Sequence, residues 1–93
     1  MRKIWKFPVE LNSVLDQAME FTIDMPDGAT LLHVGVQNGQ ACLWAEINPD
    51  APKKPYLFYS VGTGHGSVPE DGAYLGTAIL PTGFVFHVYK CVK

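Results

Sequence analysis

The stretch from residue 30 to residue 47 reads TLLHVGVQNGQACLWAEI and predicts a β-hairpin. Apolar residues alternate on both sides of Asn38-Gly39, and this dipeptide favours a two-residue type I′ turn because both central residues of that turn need a positive φ. A turn of this length also fixes the register of the two strands, starting from Gln37 opposite Gln40. The pairs that this register assigns to the core face are Val36 with Ala41, Val34 with Leu43, and Leu32 with Ala45.

The opposite face of the hairpin carries more polar and aromatic side chains. The pairs predicted there are Gly35 with Cys42, His33 with Trp44, and Leu31 with Glu46. An imidazole opposite an indole, beside a glycine without a side chain, has two interpretations. It is either a second layer of core or the floor of a flat aromatic binding site, and the sequence leaves both open.

The same two-residue period indicates further strands. They are Lys3–Val9, Met19–Asp24, Tyr56–Val61, Ala73–Leu80 and Phe84–Val92. Three prolines remove backbone donors from Asn48–Pro55, so we expect a surface connection there. Helical spacing of apolar residues predicts one or two helical turns over Val9–Ala18. The expected fold class is all-β with at most one short helix, a small antiparallel β-barrel or β-sandwich of about seven strands.

Length and composition limit the class of protein. The 93 residues fit one domain, residues 1–93, and a hydrophobic fraction of 47% excludes an intrinsically disordered chain. A net charge of −2 argues against a DNA-coating protein. No apolar run approaches the ~20 residues that cross a bilayer, and the N-terminus does not resemble a secretion signal. We therefore expect a cytoplasmic protein with reduced cysteines, and its small core makes a homo-oligomer a natural expectation.

A glycine-rich loop follows the strand that ends near Val61. The segment Gly62–Ser67 lacks the third glycine and the following helix of a dinucleotide-binding fingerprint, and it lacks the Gly-Lys-Ser/Thr of a P-loop. Its backbone N–H groups can still form a concave nest for an anion, although the residues alone favour an ordinary flexible turn. The ligand-binding candidates are Gly62, Thr63, Gly64, His65, Gly66 and Ser67 of this loop, with His33 and Trp44 of the hairpin.

Signals for catalysis and for metal binding are weak. Ser67 and Asp71 lie near His65 in the sequence, but the Gly-x-Ser-x-Gly nucleophile elbow is absent. The histidines at positions 33, 65 and 87 form no short-spaced pair with each other or with a cysteine, the spacing typical of zinc sites. We therefore predict no catalytic residue, no metal and no cofactor.

Ordered blocks along the chain resemble a known family. These blocks are Lys3–Pro8, Ile23–Ala29, Leu32–Gly39, Cys42–Ala45, Val61–His65 and Phe84–Val88. They are similar to small phage- and prophage-encoded proteins of a domain of unknown function, the DUF7352 type. Two features depart from the family pattern: Leu11–Glu20 is extra sequence between the first two strands, and Gly66 stands where a proline is common. The resemblance implies a phage or prophage source and a small, soluble, oligomeric β protein, with no agreed activity to transfer.

Three functions are open for such a protein. The first is a non-enzymatic binding protein that counters host defence by sequestering a small anionic, nucleotide-derived signal molecule through the loop and an aromatic face. The alternative is a protein-interaction module that inhibits a host defence protein, and the acidic balance suits a basic target. The third is a small hydrolase that uses His65. The first two lead because the resemblance implies phage genes, which often act against host defence.

Overall fold

The computed structural model describes residues 1–9, 19–64 and 66–92. These residues form strands β1 (Lys3–Pro8), β2 (Met19–Pro26), β3 (Thr30–Gln37), β4 (Gln40–Ile47), β5 (Lys53–Gly62), β6 (Gly72–Ile79) and β7 (Val85–Cys91). The predicted all-β class is confirmed. The helical turns predicted for Val9–Ala18 fall on residues 10–18, which lie outside the described residues. The described segments contain no helix with the length and apolarity needed to cross a membrane.

The strands form two antiparallel sheets. One sheet has the order β1-β4-β3, and the other has the order β2-β5-β7-β6. Buried side chains from both sheets belong to one core, so the sheets pack face to face as an open sandwich. The two orders do not join into a closed barrel over the described ranges. The Cα atoms span 40 × 31 × 16 Å, the dimensions of a thin two-layer domain.

The core is the layer between the two sheets. Phe58 of β5 is fully buried, and its ring stacks on Phe21 of β2 with the ring centroids 5.4 Å apart. Successive side chains of a strand point to opposite faces, so every second residue reaches this layer. The other buried members of the cluster are Val9, Met25, Val34, Ala41, Leu43, Ala45, Ile47, Tyr56, Ala78 and Val88. Aliphatic side chains of the hairpin therefore share one core with aromatic side chains of β5.

The hairpin of β3 and β4 has the predicted turn. Asn38 has a φ of 52° and Gly39 a φ of 76°, the positive values of a type I′ turn. The predicted register is confirmed from the pair Gln37–Gln40 to the pair that joins His33 and Trp44. The local turn chemistry therefore sets this part of the pairing.

Below His33, a β-bulge changes the register, and the predicted pairs are wrong there. Leu31 lies opposite Ala45 in place of Leu32, and Thr30 lies opposite Glu46. A bulge adds one residue to one strand, so the residues beyond it exchange faces. As a result Leu31 packs against the core, whereas Leu32 is 48% exposed.

The proline-rich connection is shorter than predicted. We expected Asn48–Pro55 to be a surface connection, but β5 begins at Lys53 and includes Pro55. Pro55 pairs with β2, whereas the pairing of β5 with β7 begins only at Phe58. One side of β5 is therefore a sheet edge at Pro55, and proline is tolerated at an edge because its missing N–H need not break a ladder.

β6 approaches β3 closely at Gly76. A Cβ atom on Gly76 would lie 3.0 Å from the Cβ atom of Val34 and 3.0 Å from its carbonyl oxygen. These separations are shorter than ordinary van der Waals contact, so only glycine fits without a shift. The missing side chain lets the two sheets converge along the side of the sandwich formed by β3 and β6.

We expect Gly76→Ala to lower the free energy of unfolding by about 1–3 kcal/mol, because the added methyl group overpacks the contact with Val34. Ala73→Val is the control, since it adds carbon atoms at an exposed position of the same strand. It should change the free energy by less than about 0.5 kcal/mol. Urea unfolding followed by tryptophan fluorescence measures both variants, and unchanged stability of Gly76→Ala would contradict the close contact.

Candidate functional site

Thr63, in the predicted binding loop, is held by His87 of β7. Its Oγ1 lies 2.7 Å from His87 Nε2, and its N–H donates to the carbonyl oxygen of Val85 at 3.2 Å. On the other side of the imidazole, Nδ1 lies 3.0 Å from Thr77 Oγ1, which is 2.5 Å from the Tyr74 hydroxyl. This chain of hydrogen bonds ties the loop to the outer face of the four-stranded sheet.

The glycines of this loop meet a backbone requirement. Gly64 has a φ of 77° and Gly66 a φ of 69°, and glycine adopts such values without steric cost. Gly62 is the last residue of β5, and Ser67 is exposed. His65 lies outside the described residues, so its role as a ligand contact stays a prediction.

His33 and Trp44 form the predicted ring pair on the outer face of the three-stranded sheet. Their ring centroids are 5.9 Å apart, with an angle of 37° between the planes. A Cβ atom on Gly35 would lie 2.9 Å from His33 Nε2, so the imidazole occupies the space above this glycine. Lys6 Nζ donates to the Gln37 side-chain oxygen at 2.8 Å across the same sheet. The pair is therefore a layer of rings over the hairpin, with Trp44 half-buried and His33 exposed.

The predicted ligand-binding residues lie in two groups. Thr63 contacts the outer face of the four-stranded sheet through His87. His33 and Trp44 lie on the outer face of the other sheet, because their neighbours Val34 and Leu43 are in the core. The outer faces of a sandwich point in opposite directions. The described loop residues and the ring pair therefore do not form one concave site.

A cleft that the sequence did not predict lies beside β5. It has a volume of about 450 Å³ and is lined by Lys54, Pro55, Tyr56, Leu57, Tyr59, Asp71, Lys90 and Cys91. It forms where β7 ends, since Phe58 opposite Lys90 is the first pair of the β5–β7 ladder. The residues of β5 before Phe58 have no strand paired with them on the side of β7. The cleft lies along this unpaired edge of β5.

Two lysines lie near one tyrosine ring in this cleft. Lys54 Nζ lies 5.1 Å from the centroid of the Tyr56 ring, and Lys90 Nζ lies 5.9 Å from the same centroid. The Tyr56 hydroxyl accepts a hydrogen bond from the Ala29 N–H at 3.1 Å and donates to the Pro26 carbonyl oxygen at 3.4 Å. These contacts fix the ring, and the ring positions both ammonium groups by cation–π attraction.

Lys54 also pairs with Asp27. Its Nζ lies 2.8 Å from the Asp27 carboxylate, and both side chains are more than half exposed. This hydrogen bond and the charge attraction lower the pKa of Asp27 and raise the pKa of Lys54. An exposed pair of this kind is readily exchanged for another anion, because its net contribution to stability is small.

A phenol, a carboxylate and a thiol also line the cleft. The Tyr59 hydroxyl donates to the Asp71 carboxylate at 3.4 Å, and the Cys91 Sγ lies 3.7 Å from the same oxygen. The contact with Cys91, partial loss of water and the charge of Asp71 raise the pKa of Tyr59 to about 12. Tyr59 therefore remains a neutral hydrogen-bond donor at physiological pH.

Sequence reasoning had only a partial signal for this cleft. Lys53-Lys54 beside aromatic Tyr56 was visible as a basic pair before a strand. The approach of Lys90 to Tyr56 was not visible, because it depends on which strand β7 joins and where the β5–β7 ladder stops.

Residues 1–9, 19–64 and 66–92 contain no group of three His, Cys, Asp or Glu side chains placed to hold a metal ion.

We expect Thr63→Val to loosen the loop without unfolding the domain. The substitution removes the hydroxyl bound to His87, so the free energy of unfolding should fall by about 0.5–1.5 kcal/mol. The amides of Gly64 and Gly66 should exchange with solvent faster by NMR. Thr82→Val, at an exposed position of the β6–β7 turn, is the control and should leave the exchange rates of both amides unchanged. If these two amides exchange as slowly in Thr63→Val as in the wild type, Thr63 does not anchor the loop.

The pKa of Tyr59 is raised from its ordinary value of 10.0 to about 12 in the folded protein. We therefore expect the free energy of unfolding of the wild type to fall as the pH rises through this range. The raised pKa means that the folded state holds this proton more tightly, so its stabilising effect is complete below the lower value and is lost above the higher one. Tyr59→Phe should show a shallower fall in urea unfolding over this range. Tyr89→Phe keeps the Tyr59 contacts and should retain the wild-type slope, and equal slopes for wild type and Tyr59→Phe would contradict the assignment.

Comparison with known proteins places the chain in a family. A family model described as a domain of unknown function (DUF7352) matches residues 1–93. No curated protein and no solved structure matches the chain. The family match covers every block on which the resemblance was based, including the hairpin, the glycine-rich loop and the last strand. The chain therefore belongs to the DUF7352 family.

Proposed function

We propose that this protein is a non-enzymatic binding protein that sequesters a small anionic, nucleotide-derived molecule in the cleft beside β5. The observation that carries the proposal is the pair of ammonium groups held 5.1 and 5.9 Å from one tyrosine ring centroid, on the wall of a cleft of about 450 Å³. That volume falls within the range of about 300–1,000 Å³ typical of ligand sites.

The two lysines suit the anionic part of such a ligand. Lysine ammonium groups bind phosphate as point charges. Lys90 donates a long hydrogen bond of 3.4 Å to its neighbour's carbonyl oxygen, and Lys54 holds an exposed carboxylate. A phosphate that approaches either ammonium group replaces these weak contacts with charge-assisted hydrogen bonds.

Asp71 and Tyr59, which also line the cleft, suit the polar, uncharged part of the ligand. The Asp71 carboxylate accepts hydrogen bonds, and the neutral Tyr59 phenol donates one. Ribose hydroxyls and the exocyclic amino group of a base are the matching donors and acceptors. A molecule that carries both a phosphate and hydroxyl or amino groups matches the chemistry of these lining residues.

The proposal moves the main contacts away from the Gly62–Ser67 loop. The loop lies at the opposite end of β5 from Lys54 and is tied down through Thr63. Loop amides and His65 stay predicted contacts of a larger ligand. The hydrolase alternative depends on His65 and gains no support from the described residues.

The family resemblance supports the biological setting of the proposal. A phage gene that encodes a small non-enzymatic binding protein, as we propose, suits sequestration of a nucleotide immune signal in the host cytoplasm. The alternative, inhibition of a host defence protein, is supported by the exposed apolar side chains Tyr74, Ile79 and Phe84. These side chains lie away from the cleft, so the two functions are separable by mutation.

A melting-shift screen tests the proposal. We expect a cyclic or ADP-ribose-type nucleotide to stabilise the protein by about 4 kcal/mol at a free concentration near 1,000 times Kd. Lys90→Gln should weaken this ligand by about 10-fold to 100-fold, the effect of one charge-assisted hydrogen bond. Lys53→Gln removes an exposed charge that does not line the cleft and should bind within about threefold of the wild type.

Two results would overturn the proposal. One is the absence of any melting shift across a panel of mononucleotides, cyclic dinucleotides, cyclic oligonucleotides and ADP-ribose derivatives. The other is a ligand whose affinity is equal in the wild type and in Lys90→Gln. Affinity that decreases as salt increases is the further expected signature of a phosphate held by two partly exposed lysines.

A further inference from the structure

The outer edges of the sandwich differ in how well they are protected. An unpaired strand edge exposes N–H and C=O groups that can bond to another chain, and charged residues or prolines block such pairing. The edge strand β1 has Lys3, Lys6 and Pro8, and the edge strand β2 has Glu20 and Asp24. The edges at β1 and β2 are therefore both protected by charge.

The edge of β3 is protected in another way. The bulge at Leu32 interrupts its ladder. Farther along, Gly76 of β6 comes close to the backbone of Val34, where a Cβ atom would lie 3.0 Å from the carbonyl oxygen and 3.4 Å from the nitrogen. A second chain cannot pair with β3 at Val34, because β6 already covers this part of the edge.

Beyond Gly76, which packs against Val34 of β3, the edge of β6 has no charged residue and no proline to block pairing. The strand reads GAYLGTAI and has no charged residue and no proline. Its bulge lies between Tyr74 and Gly76, and the pairing from Gly76 to Ile79 is regular. Ile79 is 67% exposed, the largest value among the aliphatic side chains of the strands.

The hydrogen-bond alternation of β6 shows which backbone groups face outward. The Leu80 N–H donates to the Phe84 carbonyl oxygen at 2.9 Å, which marks a hydrogen-bonded pair with the chain that leads into β7. Hydrogen-bonded and non-hydrogen-bonded pairs alternate in an antiparallel ladder. The backbone groups of Thr77 and Ile79 therefore point away from β7, and among the described strands only β7 pairs with β6.

We propose that β6 pairs with β6 of a second copy of this chain, antiparallel and around a two-fold axis at Ala78. Thr77 then lies opposite the partner's Ile79, and Ile79 lies opposite the partner's Thr77. Each pair exchanges both of its N–H···O bonds. The two four-stranded sheets become one continuous sheet with the order β2-β5-β7-β6-β6-β7-β5-β2.

A second copy is the partner that this edge fits because the pairing is self-complementary. An antiparallel two-fold contact brings the strand against itself, so any charge near the axis would face a like charge. The Gly76–Ile79 segment has none. The contact also covers Ile79, and it leaves the cleft at Lys54 and Lys90 open because no residue of Gly76–Ile79 lines that cleft. This inference goes beyond the proposed function and does not depend on it.

Sedimentation velocity over a range of concentrations tests the dimer. We expect the wild type to reach twice the monomer mass of 10.2 kDa. Ile79→Lys should raise the dimer dissociation constant by about tenfold or more, because two lysines come within diagonal reach across the axis and the apolar contact is lost. Ile4→Lys is the matched control, since Ile4 is 61% exposed on the edge strand β1, and it should remain dimeric.

Amide hydrogen exchange of the wild type gives a second, variant-free readout. The N–H groups of Thr77 and Ile79 should be protected at dimer concentrations and should exchange faster on dilution. A monomeric wild type at all concentrations would overturn the proposal. So would a dimer in which these two amides exchange rapidly, or one in which Ile79→Lys, with a wild-type circular dichroism spectrum, assembles as well as Ile4→Lys.

Discussion

The unequal pairing of β5 is the constraint on which the candidate site depends. This strand is bonded to β2 from Lys53 to Ser60, but it is bonded to β7 only from Phe58 onward. Its second half therefore lies inside a sheet and provides the buried Phe58, whereas its first half borders open space. Tyr56 is buried in the core, yet the ammonium groups of Lys54 and Lys90 lie over its ring, so one strand contributes both to the core and to the cleft.

Charge is distributed to match these two roles. The edges of β1 and β2 have lysines and carboxylates, which keep water around their unpaired backbone groups. The first half of β5 has Lys53, Lys54 and Pro55, which discourage another strand at the open edge where we propose that an anion binds. The uncharged segment of β6 is on the other side of the molecule. A binding surface and an assembly surface can therefore coexist on a domain of this size.

Much of the fold was predictable because its signals are local. Asn38-Gly39 requires positive φ at both residues, and that requirement determines the turn and the adjacent register. Strand alternation assigned the inward face of β4, with Ala41, Leu43 and Ala45 in the core. The predictions that were wrong, at Leu32 and at Pro55, both depend on which strand lies alongside. The bulge lets Leu31 reach the core, and Pro55 is tolerated because β7 ends before it.

The sequence by itself determined the all-β class, the hairpin and the glycine-rich loop, because each follows from neighbouring residues or from residue type. The tertiary structure alone decided that Thr63 contacts His87, that His33 and Trp44 lie on a different sheet, and that Lys90 joins Lys54 at the Tyr56 ring. These contacts join residues far apart in the chain. Their geometry depends on strand order and on where each ladder stops, and neither is encoded in a local pattern.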